Sequence, residues 1–357
     1  MTMNQNSTIL LSLVFSFRNE ENVLLEAIDR LRSVLSSEIK KGVISDYELI
    51  FVNDASTDNS LEVLSKEAER HRDIRILNMS RRFGVTPCVL AGLEYTRGDA
   101  VIYMDIDLQD PPEVIPQLID AWRQEETVDV VHTVRRSRQG ESFFKRLITR
   151  IGYHILHRVT SIKLPIEAGD FKLLSKRVVN EILKCKEKKP FMRGLVCWVG
   201  FKQVFVHYDR QERKHGKTKF PILSSGVIQN FFESALISFS SLPLRIASYL
   251  GFFSLFVSLF VVFHVLSEKI QGKAIPGWSA LMMTVIFIGG IQIFCIGIVG
   301  LYLSSMFEEG KGRPNYIVES TFGFPFSSSS PNPSDKTAQN ANSQNRPVEH
   351  ISRNEKI

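Results

Sequence analysis

The chain has 357 residues, 44% of them hydrophobic, with 44 Lys and Arg against 38 Asp and Glu and a formal charge of +6. Its length exceeds the ~100–200 residues of one typical domain. The positive balance favours an anionic partner, and the lack of any zinc-finger, RRM or homeodomain pattern argues against nucleic acid in that role.

The apolar run Ile9–Phe17 has neither a basic leading region nor a small-residue cleavage site, so it reads as a first buried strand rather than a signal peptide. Short β-branched runs then alternate with helix-length amphipathic ones. Strands are predicted at Ile9–Phe17, Glu48–Val52, Ile74–Asn78, Ala100–Met104 and Val128–Thr133. Helices are predicted at Asn22–Leu35, Ser60–Arg70, Val85–Thr96 and Pro112–Glu125. Repeated βαβ units imply an α/β domain with a mostly parallel sheet and helices on both faces. Asp58 or Asn59 suits the cap of the second helix, Gly98 the end of the third, and Pro111–Pro112 the start of the fourth. Cys88, Cys185, Cys197 and Cys295 are widely separated and lack metal-ligand spacing, so they read as free thiols of a reducing compartment.

Ser142–Val159 places Phe143, Leu147, Ile151 and Ile155 on one helical face, with Arg150, His154 and Arg158 at its margins. This is the pattern of an interfacial helix, and equally of a helix packed on its own domain. A second interfacial candidate, Phe220–Phe239 within the juxtamembrane segment 220–243, leads into the apolar run Leu244–Leu266. That run and Ser279–Leu303 each exceed the ~20 residues that cross a bilayer. Their short connector makes a hairpin, so the domain over 1–219 and the segment 304–357 share one side of the membrane. Lys214, Lys217, Lys219 and Arg245 before the spans, and Lys311 and Arg313 after them, outnumber Lys269 and Lys273 between them, which puts that side in the cytoplasm. After Tyr316 the chain turns polar and low in complexity, and a disordered tail is expected from about 320.

The stretch "YMDIDLQDPPEVIP" carries the chemistry. Asp105 and Asp107 follow the fourth predicted strand, and if the backbone stays extended they point the same way. Two close carboxylates raise one pKa unless a cation sits between them, and Mg²⁺ or Mn²⁺ accepts carboxylate together with phosphate oxygens. Ligands of open α/β sheets bind beyond the carboxyl ends of the strands. Asp54 ends the second strand in the same manner, so three carboxylates are expected in one crevice. Asp110, Glu113 and Asp120 read as helix-start or solvated acids.

"SFRNEENV", "FVNDASTDNS", "MSRRFGVTPCVLAGL" and "YMDIDLQDPPEVIP" resemble the successive motifs of family 2 glycosyltransferases, whose fold is GT-A. With "GDFKLLS", "ERKHGKTKF", the paired spans and "EEGKGRPNYIV", the chain over roughly residues 8–318 resembles polyprenyl-phosphate glycosyltransferases. These include the bacterial bactoprenol glucosyltransferases and the dolichol-phosphate mannose synthases. The resemblance implies a multi-pass enzyme of the bacterial inner membrane that moves a hexose from a nucleotide sugar to a polyprenyl phosphate, inverting it, with Mg²⁺ or Mn²⁺. UDP-glucose is the first choice of donor; GDP-mannose, a UDP-aminosugar, or a non-catalytic lipid-carrier binding protein are the alternatives. A homo-oligomer is compatible with all of these.

On matching positions the resemblance implies that Asn19, Glu20, Asp54, Arg81, Asp105, Arg213 and Lys219 bind the nucleotide sugar. Asp105 and Asp107 would frame the metal, Gln109 would lie beside the sugar, and Arg135 and Arg150 would meet a phosphate; Arg158 joins Arg150 from the margin of the 142–159 helical pattern, where it suits the acceptor phosphate and equally snorkelling toward ordinary lipids. Asp170 is placed with the catalytic group, either orienting Lys172 or the sugar or forming a structural salt bridge. A lipid monophosphate has a second pKa near ~6 and is already an anion, so no strong base is required. Arg18 stands where this family often has Tyr, Arg82 where Asn is usual, Val85 where Lys is frequent, and Asn53 where Asp is frequent.

Overall fold

The computed structural model describes residues 8–125, 127–135, 168–188, 190–210, 242–271 and 277–324. The first strand, β1 (Ile9–Phe17), is the apolar run ILLSLVFSF, buried along its whole length except at Leu10. A parallel strand covered on both faces needs such a continuous run. Leu11, Leu13, Phe15 and Phe17 point into the main core with α1 (Leu24–Lys40), whose Leu24, Ala27, Ile28, Leu31 and Leu35 form its buried stripe. Val14 points to the other face, against Gly92 of α3 (Val85–Glu94).

The remaining elements of this half are β2 (Ile44–Asn53), α2 (Ser60–Arg70), β3 (Ile74–Met79), β4 (Ala100–Asp105), a 3₁₀ turn at Pro112–Val114 and α4 (Ile115–Arg123). Then follow β5 (Val128–Arg135), β6 (Ala168–Ser175), α5 (Lys176–Lys184), α6 (Met192–Trp198) and β7 (Lys202–Tyr208). Two long helices, α7 (Leu242–Ile270) and α8 (Trp278–Gly310), precede the last strand, β8 (Val318–Phe322).

All eight strands form one sheet, ordered β7-β5-β6-β4-β1-β2-β3-β8. β1 to β4 run parallel, and β5 runs parallel to β7. β6 lies antiparallel between β4 and β5, and β8 lies antiparallel on β3. The carboxyl ends of β1, β2, β4, β5 and β7 therefore share an edge with the amino end of β6.

The predicted βαβ order is present, with shifted ends. β2 begins at Ile44 and β5 continues to Arg135, while α1 starts at Leu24 and runs on to Lys40. Asp58, not the N-cap residue Asn59, receives the Ser60 N–H at the start of α2. Gly98 does not end α3, which stops at Glu94; it lies in the following loop, where its N–H reaches Ser12 Oγ at 2.8 Å. The expected helix at Pro112–Glu125 is split into the 3₁₀ turn and α4. The amphipathic stretches 142–159 and 220–239 lie outside the described residues.

The stretch after Tyr316, expected to be without structure, instead supplies β8 at Val318–Phe322. The strand is only five residues long and more than half polar, with Glu319 and Ser320 poor strand formers, so its pairing depends on the β3 edge. The approach to this strand is tied down at four points. Lys188 N–H donates to Glu309 Oε1 at 2.7 Å, Asn315 Nδ2 to Glu187 O at 2.6 Å, Tyr316 Oη to Glu94, and Ser80 N–H to Ile317 O at 3.1 Å. Among the described residues one helical stretch, Met283–Gly310, is long and apolar enough to cross a membrane, with mean hydropathy 2.3; Ile246–Val257 of α7 is a shorter apolar stretch. Cys295 Sγ of α8 lies 3.2 Å from Ala247 O of α7.

A Cβ at Gly92 would lie 2.3 Å from Val14 Cγ1 and 3.1 Å from Val52 Cγ2, so the bare backbone lets α3 settle on the sheet. Gly92→Ala is expected to destabilise the purified chain by about 1–3 kcal/mol in denaturant unfolding. Adding Val14→Ala should recover part of that loss, giving a coupling between the two sites in a double-mutant cycle.

Candidate active site

At the shared edge opens a crevice of about 370 Å³. Asn19 and Glu20 line it from the loop after β1, Asp54 from the end of β2, and Asp105, Asp107 and Gln109 from the loop after β4. Arg18, Arg82, Gly84, Val85 and Arg210 complete the wall. The three expected carboxylates thus share one crevice, although not by the expected route. β4 ends at Asp105 and the chain bends at once, with Leu108 at φ +59 and Asp107 Oδ1 accepting the Gln109 N–H at 3.1 Å.

Among the described residues, Asn19 (φ 55), Ala55 (φ 50) and Leu108 (φ 59) are the non-glycine residues in the left-handed region. Each follows a strand that ends at the crevice, and such strained positions are kept where a site requires them. Asn19 is stitched to the neighbouring loop: its Oδ1 accepts from Thr57 N at 2.8 Å, and its N–H donates to Ser56 Oγ at 3.1 Å. Glu20 N–H donates to Ser60 Oγ at 3.0 Å. Asp54 is buried, and its Oδ1 accepts the N–H groups of Phe83 at 2.6 Å and Gly84 at 3.2 Å. These bonds hold the turn that begins α3, where Gly84 has φ +97.

The antiparallel β6 carries Asp170 to the same edge. The register pairs Tyr103 with Lys172, so Asp170 lies two residues on, alongside Asp105. Asp170 accepts a two-pronged pair from Arg193 of α6, with Nε to Oδ1 at 2.9 Å and Nη2 to Oδ2 at 2.6 Å. Burial alone would raise Asp170; the Arg193 fork, with Lys172 and Arg135 nearby, outweighs it and holds the carboxyl at about 2. Asp105 goes the other way. Burial, then the charges of Asp107, Asp170 and Asp110, push it up to about 7 against the opposing Arg210.

Behind this edge the sheet carries a buried polar row. Lys172 lies opposite Tyr103 and His132 on its two neighbours, with Nζ 5.8 Å from the Tyr103 ring centre. Burial draws Lys172 down to about 8, with Asp170 opposing. His132 Nε2 is 2.8 Å from Gln203 Oε1, and its ring stacks on Phe205 at 5.4 Å.

Asp110 was expected to be a solvated helix-start acid, and the structure overturns that. It is 2% exposed, accepts from Tyr208 Oη, and lies 3.3 Å from Arg210 Nε. The bend after Asp105 turns it inward toward β7, which single-sequence patterning does not reveal. Glu113 is exposed and takes a two-pronged pair from Arg30, and Asp120 is exposed. Arg135 Nε donates to Tyr208 Oη at 3.4 Å, linking the end of β5 to this group. Arg81 lies over the Phe83 ring at 4.1 Å, and Arg82 rather than Arg81 lines the crevice. Arg150, Arg158, Arg213 and Lys219 lie outside the described residues.

No group of three or more His, Cys, Asp or Glu among the described residues forms a metal cage of its own. Asp105 and Asp107 offer two carboxylates, which suits an ion that takes its other oxygens from phosphate and water. The elevated Asp105 is what a nearby divalent cation would relieve.

Residues 12–183 match the family model described as Glycosyl transferase family 2. An uncharacterized glycosyltransferase of Synechocystis sp. is 40% identical over 320 residues, covering 89% of this chain and 98% of the relative. The bactoprenol glucosyl transferase of Shigella phage SfX is 34% identical over 276 residues, covering 77% of this chain and 89% of the relative. Among solved structures, a mannosyltransferase of Pyrobaculum calidifontis in complex with GDP-Man and Mn²⁺ covers 84% of this chain at 15% identity and a TM-score of 0.42, with 88% of its own chain matched.

Burial, then the adjacent Lys172, bring His132 from 6.5 down to about 4 in the folded chain. Between those values the unfolded chain binds a proton that the folded chain does not, so this histidine lowers stability as pH falls from about 6.5 to 4, by on the order of 3 kcal/mol. Denaturant unfolding across that range should show His132→Gln gaining on the parent as pH falls.

Proposed function

The chain belongs to glycosyl transferase family 2, and from that premise we propose that it moves glucose from UDP-glucose to a polyprenyl phosphate, inverting the anomeric centre. The observation that carries this reading is the crevice itself, where Asp105, Asp107 and Gln109 face Asn19 and Glu20 at the carboxyl edge of the sheet. The similarity to a bactoprenol glucosyl transferase at 34% identity supports the glucosyl group and the lipid acceptor.

Asp105 and Asp107 would hold Mg²⁺ or Mn²⁺. When bound, the ion supplies a Lewis acid to the phosphate oxygens of the leaving nucleotide. Asn19, Glu20 and Asp54 shape the nucleoside end; Asp54 acts through the Phe83–Gly84 turn that its oxygens fix. Gln109, whose N–H donates to Asp107 Oδ1, would lie beside the sugar.

Asp170 stays ionised and engaged by Arg193, so it orients rather than abstracts a proton. The acceptor phosphate is an anion at neutral pH and attacks from the face opposite the diphosphate. Arg135, at the end of β5, is the described residue assigned to that phosphate. Arg150 and Arg158 are assigned the same role, and Arg213 and Lys219 the donor diphosphate.

α7 and α8 make the membrane hairpin, with the catalytic unit and both termini in the cytoplasm. Two apolar helices linked at Cys295 and Ala247 support this arrangement. A polyprenyl tail remains in hydrocarbon while its phosphate sits at headgroup level, so an enzyme for such an acceptor gains by being fixed to the bilayer.

Membranes holding the chain should transfer label from UDP-glucose into organic-extractable lipid, lose that activity with EDTA and regain it with Mn²⁺ or Mg²⁺. Asp105→Ala and Asp107→Ala are each expected to lower transfer by at least about 100-fold. Transfer at the parent rate in either variant would remove the assigned site.

A further inference from the structure

The crevice holds a second organised charge that the metal-framing carboxylates do not account for. Arg210 follows β7 by two residues and lines the crevice with Asp105, Asp107 and Gln109. Its partner Asp110 is 2% exposed, and a carboxylate that deep is costly to keep charged unless it is answered by donors. Tyr208 Oη supplies one hydrogen bond, and the Arg210 guanidinium lies against it with Nε 3.3 Å from Oδ1. Tyr208 is steadied in turn by Arg135 Nε at 3.4 Å.

This arrangement places the Nε side of Arg210 against Asp110 as an ion pair; Nε itself is buried and makes no hydrogen bond among the described residues. The terminal nitrogens have no hydrogen-bond or ion-pair partner among the described residues, and the side chain keeps 27% exposure. Asp110 also sits in the group of acids that crowd Asp105, so it is an awkward place for a carboxylate whose only task is to begin a helix. It makes sense as the fixed point that aims a guanidinium.

Resting on the nucleotide-sugar reading above, we propose that Arg210 binds the β-phosphate of the donor, and that Asp110 is the residue that positions it. A planar guanidinium held on one side presents its other N–H groups to phosphate oxygens in a set geometry, which a mobile lysine does not. It would answer the charge that develops on the departing diphosphate from the side of the crevice away from β2.

Isothermal titration of the detergent-purified full chain with UDP, UMP, GDP and GMP in the presence of Mn²⁺ tests this. The parent should bind the diphosphate of its donor more tightly than the matching monophosphate. Arg210→Gln should weaken the diphosphate by about tenfold to a hundredfold and leave the monophosphate within about twofold. Arg210→Lys should fall between them, and Asp110→Asn, which still accepts from Tyr208, should show the same selective loss to a smaller extent. Equal weakening of mono- and diphosphate in Arg210→Gln, or no weakening of either, overturns the assignment and leaves the donor reading standing. A parent that binds none of the four nucleotides removes the donor reading and this assignment with it.

Discussion

Parallel strands end at a common edge, and in this sheet that edge gathers Asp54, Asp105, Asp107, Asp110 and Asp170. Carboxylates so close cannot all stay ionised without cations or N–H donors among them. Asp54 is answered by backbone N–H groups, Asp170 by the Arg193 fork, and Asp110 by Tyr208 and Arg210. Asp105, by contrast, is pushed up to about 7 by burial and the charges of Asp107, Asp170 and Asp110. The residual charge is concentrated where a divalent ion and a diphosphate would meet, so the packing of the acids and the proposed chemistry are one arrangement.

The βαβ half of the fold was legible because its signals are local. Period-two runs and apolar stripes such as Leu24, Ile28, Leu31 and Leu35 need no distant partner to be recognised. β6 and β8 were not legible, since each owes its existence to an edge or gap formed far away in sequence. The site divides in the same way. Asp54, Asp105 and Asp107 announce themselves by following strands. Asp110 looks like any helix-start acid until the bend at Leu108 turns it toward Tyr208; Arg193 matters only once α6 meets Asp170 of β6, and Arg210 only once β7 has paired with β5.

The three positions at which the sequence departs from the motifs it resembles near the crevice, Arg18, Arg82 and Val85, all line its wall. Their side chains differ in charge or size from the residues frequent in such motifs. Asn53, a fourth departure, does not face the crevice; its Nδ2 donates to Asn78 at 2.8 Å, and its Oδ1 accepts from Ser56 N at 3.0 Å. The two kinds of departure therefore have separate consequences, one for what the crevice admits and one for how β2 and β3 are joined.

The order of strands has a mechanical result. β7 and β8 are the two outermost strands, and the paired long helices are inserted in the chain between them. Eight strands at ~4.8 Å spacing set these flanks roughly 30–35 Å apart. The far end of α8 is joined to the β3–β8 flank by short, bonded chain, through Glu309 to Lys188, Asn315 to Glu187 and Tyr316 to Glu94, so the last strand closes the sheet only after both long helices have been made.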